Sequence, residues 1–354
     1  MTGDSQHGIL MSPSARPGAV PGTQTSAQDD RDLIDVAADL AATAALLEIA
    51  DELGIFGLLE TGVARTVEEL AAAAATPMHR MESFLGALAA AGLVIRDSPA
   101  RSVRVTDAFP QLRTAAGYLC WSLKANRPFI ENSLAFFKDH DSASRLHTRD
   151  SRDVAVTTRW VGLSDFYPED LATLVNARPS HLVDLGAGAA RLLIDALIEL
   201  PDATAVALDI SAAACAVAAE EAAAAGVADR LSVVQRSIES LADDPSPIAG
   251  ADVIHSGFAF HDLVPDAATF DAVLRGCKKA LTPRGFLAIT DAVPYSATAR
   301  ERKFSSLFTY LHEGFMNVRL PTEEDWRATF LAAGFSDITI SSHRMPGARL
   351  FIVK

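Results

Sequence analysis

Apolar positions recur at two different periods along this chain, and the change of period divides it. From Leu33 to Leu59 they fall at helical spacing among strong helix formers, with Gly54 interrupting the run. Thr66-Val67-Glu68-Glu69 has the pattern of a capping box: Thr66 starts a helix and Glu69 reaches back from its third position. Thr76-Pro77 opens another helix through Met81, Phe84, Leu85 and Leu88 to Gly92. Leu93-Val94-Ile95 and Val103-Arg104-Val105 then read as short strands around a polar tip, Asp97 to Arg101. Helix, helix, helix, hairpin is the order of a winged helix. Helical stretches from Tyr118 to Lys138, with Pro128 as a helix start, lead away from it.

From His181 short apolar runs alternate with helical segments. Leu182–Leu185, Ala205–Leu208, Leu231–Val234, Ala251–Ile254 and Phe286–Thr290 read as strands. Helices are predicted over Arg191–Leu200, Ser211–Gly226, Phe270–Leu281 and Glu323–Ala333, with a turn at Thr282–Gly285. Ile338–Ile340 and Leu350–Val353 close the chain as late strands. The prediction is α/β: a Rossmann-like, doubly wound sheet with an antiparallel final pair, behind a mainly helical winged-helix domain.

Composition narrows the function. The chain has 354 residues, 49% of them hydrophobic, enough for more than one packed domain. Its net charge of -14 disfavours binding to phosphate backbones. The third helix of the winged-helix pattern offers a DNA groove only His79 and Arg80, so the domain reads as a dimerisation unit and no nucleic-acid partner is expected. Cys120, Cys215 and Cys277 are scattered, with no CxxC and no metal spacing, which suits a reducing compartment. No apolar run reaches the ~20 residues needed to cross a bilayer. Residues 1–30, rich in Ser, Pro, Gly and Thr, lack the basic start and apolar stretch of a signal peptide and read as a disordered leader. The expectation is a soluble cytoplasmic protein.

The first chemical signal is Val183-Asp184-Leu185-Gly186-Ala187-Gly188-Ala189-Ala190-Arg191. A strand ending in GxG and entering a helix exposes backbone and free N–H groups to a ligand. Asp209 ends the next strand, in register for ribose hydroxyls. This string resembles the first motif of class I S-adenosylmethionine-dependent methyltransferases, and Leu281-Thr282-Pro283-Arg284-Gly285-Phe286 resembles that family's LxPGG turn. The resemblance spans Asp165 to Lys354. It implies S-adenosylmethionine as cofactor, with Gly186 and Gly188 lining its methionine part, Asp184 holding its amino end through the loop and Asp209 binding both ribose hydroxyls. Ala190 replaces the third glycine. Arg236-Ser237 replaces the family's Gly-Asp, which leaves Ser237 to accept from the adenine amine.

The second signal is Phe258-Ala259-Phe260-His261-Asp262-Leu263, just past the fourth strand. A His with an adjacent Asp can act as general base. The segment resembles the HDW motif of small-molecule O-methyltransferases, which also carry an N-terminal winged-helix dimerisation domain. Together with Phe304-Ser305-Ser306-Leu307-Phe308-Thr309-Tyr310-Leu311-His312, it also resembles bacterial 2-oxo acid C-methyltransferases. In that family the matching histidines hold a non-haem iron, which would make His261 and His312 metal ligands here. Phe258 stands where a Met ligand is expected, and His312 otherwise reads as a pocket histidine that positions substrate.

The domains predicted on this basis are a leader at 1–30, a winged-helix dimerisation domain at 31–112, a helical linker and pocket lid at 113–164, and a cofactor-binding methyltransferase domain at 165–354. The expected protein is a homodimeric methyltransferase of secondary metabolism acting on a small molecule. It C-methylates the β-carbon of a 2-oxo acid through His261, Asp262 and His312, or O-methylates a hydroxyl with His261 as base. A cofactor-binding regulator without turnover is the alternative from another class.

Overall fold

Glycines and caps set the element boundaries. The computed structural model describes residues 27–296 and 298–354. The expected leader therefore lies mostly outside the described residues, and helix α1 (Ala27–Glu52) begins within its last positions. The chain divides into two units: of the first, Met1–Asp39, the described part is the leading half of α1, and the second is Leu40–Lys354.

In the second unit Gly54, in the left-handed region at φ 70°, turns the chain between α1 and α2 (Phe56–Glu60). Strand β1 (Arg65–Thr66) leads into α3 (Val67–Ala73), whose capping box forms as predicted: Glu69 N–H donates to Thr66 Oγ1 and Thr66 N–H to a Glu69 carboxylate oxygen. Helix α4 (Met78–Ala90) and strands β2 (Val94–Asp97) and β3 (Ser102–Val105) complete the winged helix, its small antiparallel sheet ordered β1-β3-β2.

Helix α5 (Phe109–Cys120) runs into a π-helical turn, Trp121–Ala125, followed by α6 (Arg127–Glu131), α7 (Ser133–Lys138) and α8 (His140–Leu146). Helices α9 (Ser151–Asp165) and α10 (Tyr167–Ala177) lead to the large sheet. Its elements follow in order: β4 (His181–Leu185), α11 (Arg191–Glu199), β5 (Thr204–Asp209), α12 (Ala212–Ala224), β6 (Leu231–Gln235), β7 (Ala251–Gly257), α13 (Ala267–Ala280) and β8 (Leu281–Ala292). Then come α14 (Arg302–Phe315), α15 (Glu323–Ala332), β9 (Ile338–Ser342) and β10 (Ala348–Val353).

The large sheet has seven strands in the order β6-β5-β4-β7-β8-β10-β9. β4 to β8 are parallel, and β10 pairs antiparallel with β8 and β9, the predicted final pair. The order reverses at β4, so β5 and β7 flank it. That switch point opens a crevice at the carboxyl ends of the strands. One prediction is corrected here. Thr282–Gly285 is not a turn ahead of a strand but lies within β8: Ala251 pairs with Leu281 and Val253 with Phe286, so the intervening residues bulge out. Gly285 fits because a Cβ there would meet the Ala251 carbonyl oxygen at 2.9 Å. No described helix is long and apolar enough to cross a membrane.

Candidate active site

The strand ends of the switch point surround a cavity of about 770 Å³. Its lining includes Asp184, Gly186, Gly188, His255, Phe258, His261, Asp262 and His312. The candidates from β4, β7 and α14 thus converge although they are scattered in sequence.

At the glycine loop, Gly186 and Gly188 sit in the left-handed region, at φ 76° and 55°. The Gly186 and Ala187 N–H groups donate to the Leu208 carbonyl, which ties the loop to β5. A Cβ on Gly188 would meet nothing within 4 Å, so that position faces open space. Asp209 accepts from Gly188 N–H at 2.9 Å and from Ser211 N–H at 2.8 Å, which aims its carboxylate at the loop. Ala190, in place of the third glycine, also adopts positive φ, at 55°. An alanine holds that conformation at a cost of about 1 kcal/mol. Ser237 caps the entry to a short 3₁₀ turn beyond β6 and does not line the cavity; Arg236 beside it is engaged with Ser240 and Asp244. The loop, Asp209 and the open space over Gly188 suit an adenosyl amino-acid cofactor.

Asp184 is engaged by the neighbouring strand. Its Oδ1 lies 2.7 Å from Nδ1 of His255, its register partner on β7.

On the other side of the cavity, His261 is the second residue of a 3₁₀ turn, Phe260–Leu263, just past β7 and is almost completely buried. Its Nδ1 lies 2.7 Å from Asp291 Oδ1, and its own N–H donates to Asp291 Oδ2 at 3.0 Å. Asp291, at the carboxyl end of β8, is fully buried. The carboxylate that orients His261 is therefore Asp291, which sequence reading missed. Asp262, the adjacent acid singled out in the sequence, points toward solvent with 60% of its side chain exposed, and its Oδ1 stands 3.5 Å from His261 Nε2. Burial disfavours a charged His261 ring, but the Asp291 charge outweighs it and the ring titrates above its ordinary value. Nδ1–H stays on Asp291, so Nε2 is the nitrogen left for a substrate.

His312, on α14, packs edge-on against His261 with ring centroids 5.0 Å apart. Its Nδ1–H donates to the Phe308 carbonyl at 2.7 Å. Burial, reinforced by the neighbouring His261 charge, lowers it to about 3, so the ring is neutral with Nε2 as an acceptor.

For the expected iron the described residues offer two neighbouring imidazoles, His261 and His312. Phe258 occupies the third ligand position, held at φ 54° by its N–H bond to the Thr290 carbonyl. Among the described residues no group of three or more His, Cys, Asp or Glu side chains is arranged to hold a metal ion. His261 and His312 are brought together, the first ring held by Asp291 and the second by the Phe308 carbonyl.

Aromatic rings form one wall. Trp121, presented by the π-helical turn, stacks on Phe308 at 5.1 Å, and Phe166 packs edge-on against Phe258 at 5.0 Å. Three guanidinium groups line the cavity: Arg159 pairs with Glu60 at 2.8 Å and Arg191 with Asp195 at 2.9 Å. Arg149 closes no such pair. It stands 5.9 Å over the Phe129 ring, and its burial pulls it below its ordinary value despite the field of Asp262.

The fold is a Rossmann-like sheet behind an N-terminal, mainly helical part. Residues 183–287 match the family model described as a methyltransferase domain. A curated relative, aclacinomycin 10-hydroxylase RdmB of Streptomyces purpurascens, is 27% identical over 168 residues. The match spans 48% of this chain and 42% of that protein. Among solved structures, the pyocyanin biosynthetic protein PhzM has the same fold with a TM-score of 0.55 at 21% identity, covering 93% of this chain and 99% of that one. The mitomycin 7-O-methyltransferase MmcR has a TM-score of 0.52 at 17% identity, covering 92% and 98%.

Proposed function

We propose that this chain transfers the methyl group of S-adenosylmethionine to a small planar acceptor, with His261 removing the proton from the attacking oxygen. The observation that carries the reading is the shared cavity: the glycine loop lines it together with His261, whose Nδ1 is fixed by Asp291. When bound, the cofactor supplies a methyl group activated as a sulfonium, so alignment and a free nucleophile suffice. Gly186 and Gly188 would take its methionine part and Asp209 its ribose hydroxyls. His261 Nε2 accepts the hydroxyl proton, and the resulting imidazolium is stabilised by Asp291. His312 Nε2 accepts from a donor on the acceptor, and the Trp121–Phe308 stack forms a wall beside it.

A second reading, C-methylation of a 2-oxo acid, is favoured by Arg149, the cavity guanidinium that closes no salt bridge and suits a substrate carboxylate. His261 would then remove the β-proton, with no metal in the step.

The test is transfer of labelled methyl from S-adenosylmethionine to a panel of aromatic hydroxy acids and aryl 2-oxo acids, with and without chelator. Chelator-resistant transfer is expected, and carbon NMR of the product separates O- from C-methylation. Cofactor binding with no transfer across the panel would instead indicate a regulator. Oxygen incorporation without methyl transfer would indicate a hydroxylase, the activity for which RdmB is named.

A further inference from the structure

Behind the aromatic wall of the cavity lies a second space. It is a narrow hollow bordered by Phe258, Ala292, Val293, Ser305, Phe308 and Met345, and it is too tight to admit a water molecule. Phe258, Phe308 and Met345 line the main cavity as well. These three side chains are therefore the partition between the two spaces.

The partition is held differently along its width. Phe308 is clamped by stacking, on Trp121 at 5.1 Å and on His312 at 4.3 Å. Met345 is unbranched and adapts to its surroundings. Phe258 is fixed through its backbone: its N–H donates to the Thr290 carbonyl at 2.7 Å, and its φ of 54° is a left-handed conformation that bulky residues rarely adopt. Such strain persists only where the surrounding structure over-determines it. Here the Phe166 ring packs edge-on against Phe258 at 5.0 Å. Gly162 makes that possible, because a Cβ on it would meet the Phe166 ring at 2.5 Å. The ring so fixed stands three residues before His261 and 6.4 Å from Phe308, which is itself 6.4 Å from the His261 ring.

We propose that Phe258 is the specificity-determining residue of the acceptor site. Its ring closes the pocket in depth, so that a single-ring aryl acceptor fits and one lengthened by a fused ring is turned away. With a smaller side chain at this position, cavity and hollow join, and the pocket gains the space bounded by Ala292, Val293 and Ser305. Selection is by steric contact against the longer acceptor rather than by charge. This names the acceptor class of the methyl-transfer reading above and rests on it.

The experiment is calorimetry of 2-hydroxybenzoate and 3-hydroxy-2-naphthoate, which differ by one fused ring, on the full chain saturated with S-adenosylhomocysteine. The wild type should bind the naphthoate at least about 10-fold more weakly than the benzoate, despite its larger apolar surface. Phe258→Ala should shift that ratio by at least about 10-fold toward the naphthoate and leave S-adenosylhomocysteine affinity within about 3-fold. Should that variant fail to fold, Met345→Ala, whose side chain lines both spaces, should shift the ratio the same way, and the wild-type ratio stands as a test of its own. A wild type that binds the naphthoate as tightly as the benzoate, a ratio unchanged in the variant, or binding of neither acid would overturn the proposal. Methyl transfer is measured on the same proteins, where the ratio of kcat/KM should follow the binding ratio with the change carried by KM. Binding that discriminates as expected without any transfer would overturn the methyl-transfer reading and leave the depth limit standing, whereas transfer with an unchanged ratio removes Phe258 alone.

Discussion

The dyad His261–Asp291 has a direct kinetic consequence. His261 must be neutral to accept a proton, and Asp291 raises its pKa above the ordinary 6.5. The rate should therefore rise with pH through a pKa above that value. In Asp291→Asn the burial penalty is opposed only by the weaker field of Asp262, so that limb moves to lower pH, and kcat falls by about 10²- to 10⁴-fold with the lost orientation and charge. A pH profile of kcat/KM for both proteins checks it; an unshifted limb would remove Asp291 from the mechanism. His312 gives a prediction of opposite kind. Its folded-state value is lowered from 6.5 to about 3, so the unfolded chain takes up the proton first. Stability contributed by its neutral ring is intact above 6.5 and is lost as pH falls from there toward about 3. Urea melts at pH 7 and pH 5 should show a smaller acid loss in His312→Gln than in wild type. At this scale His261 was legible because it follows a strand end beside an acid. Asp291 carried a fainter signal, an acid ending the apolar run Phe286–Thr290. Its pairing with His261 depends on β7 and β8 lying side by side.

Elements were legible where local chemistry fixes them. The Thr66 capping box, the Ser211 cap, with Ala214 N–H donating to Ser211 Oγ, and the strand patterns act within a few residues. What escaped depends on packing. Gly276 sits inside α13, where glycine costs helix stability; a Cβ there would strike the Leu241 carbonyl oxygen at 2.7 Å. Gly276→Ala is expected to destabilise by about 1–3 kcal/mol through overpacking, despite its better helix propensity. Denaturant melts decide it, and a stabilised variant would contradict the close approach. The bulge in β8 is likewise a sheet property: Pro283 and Gly285 read as a turn until β7 pairs on either side of them.

For the molecule, the acidic balance and the apolar surface belong together. Ile49, Leu123, Ile130, Leu134 and Phe137 are large apolar side chains left exposed in the second unit. Sedimentation should find a homodimer at micromolar concentration, since such side chains gain by association. A monomer would count against it. Duplex DNA should show no binding at physiological salt.

The sequence by itself determined the winged-helix and Rossmann-like patterns, the switch-point loop Val183–Arg191 and the place of His261 past a strand end, because hydrophobic period, caps and glycine turns are local. Only the tertiary structure decided the partners of the charges. Asp291 rather than Asp262 orients His261, Asp184 faces His255, and Phe258 stands where a metal ligand was expected. Those choices are made across neighbouring strands, where burial leaves a charge only the partner that strand order and register bring to it.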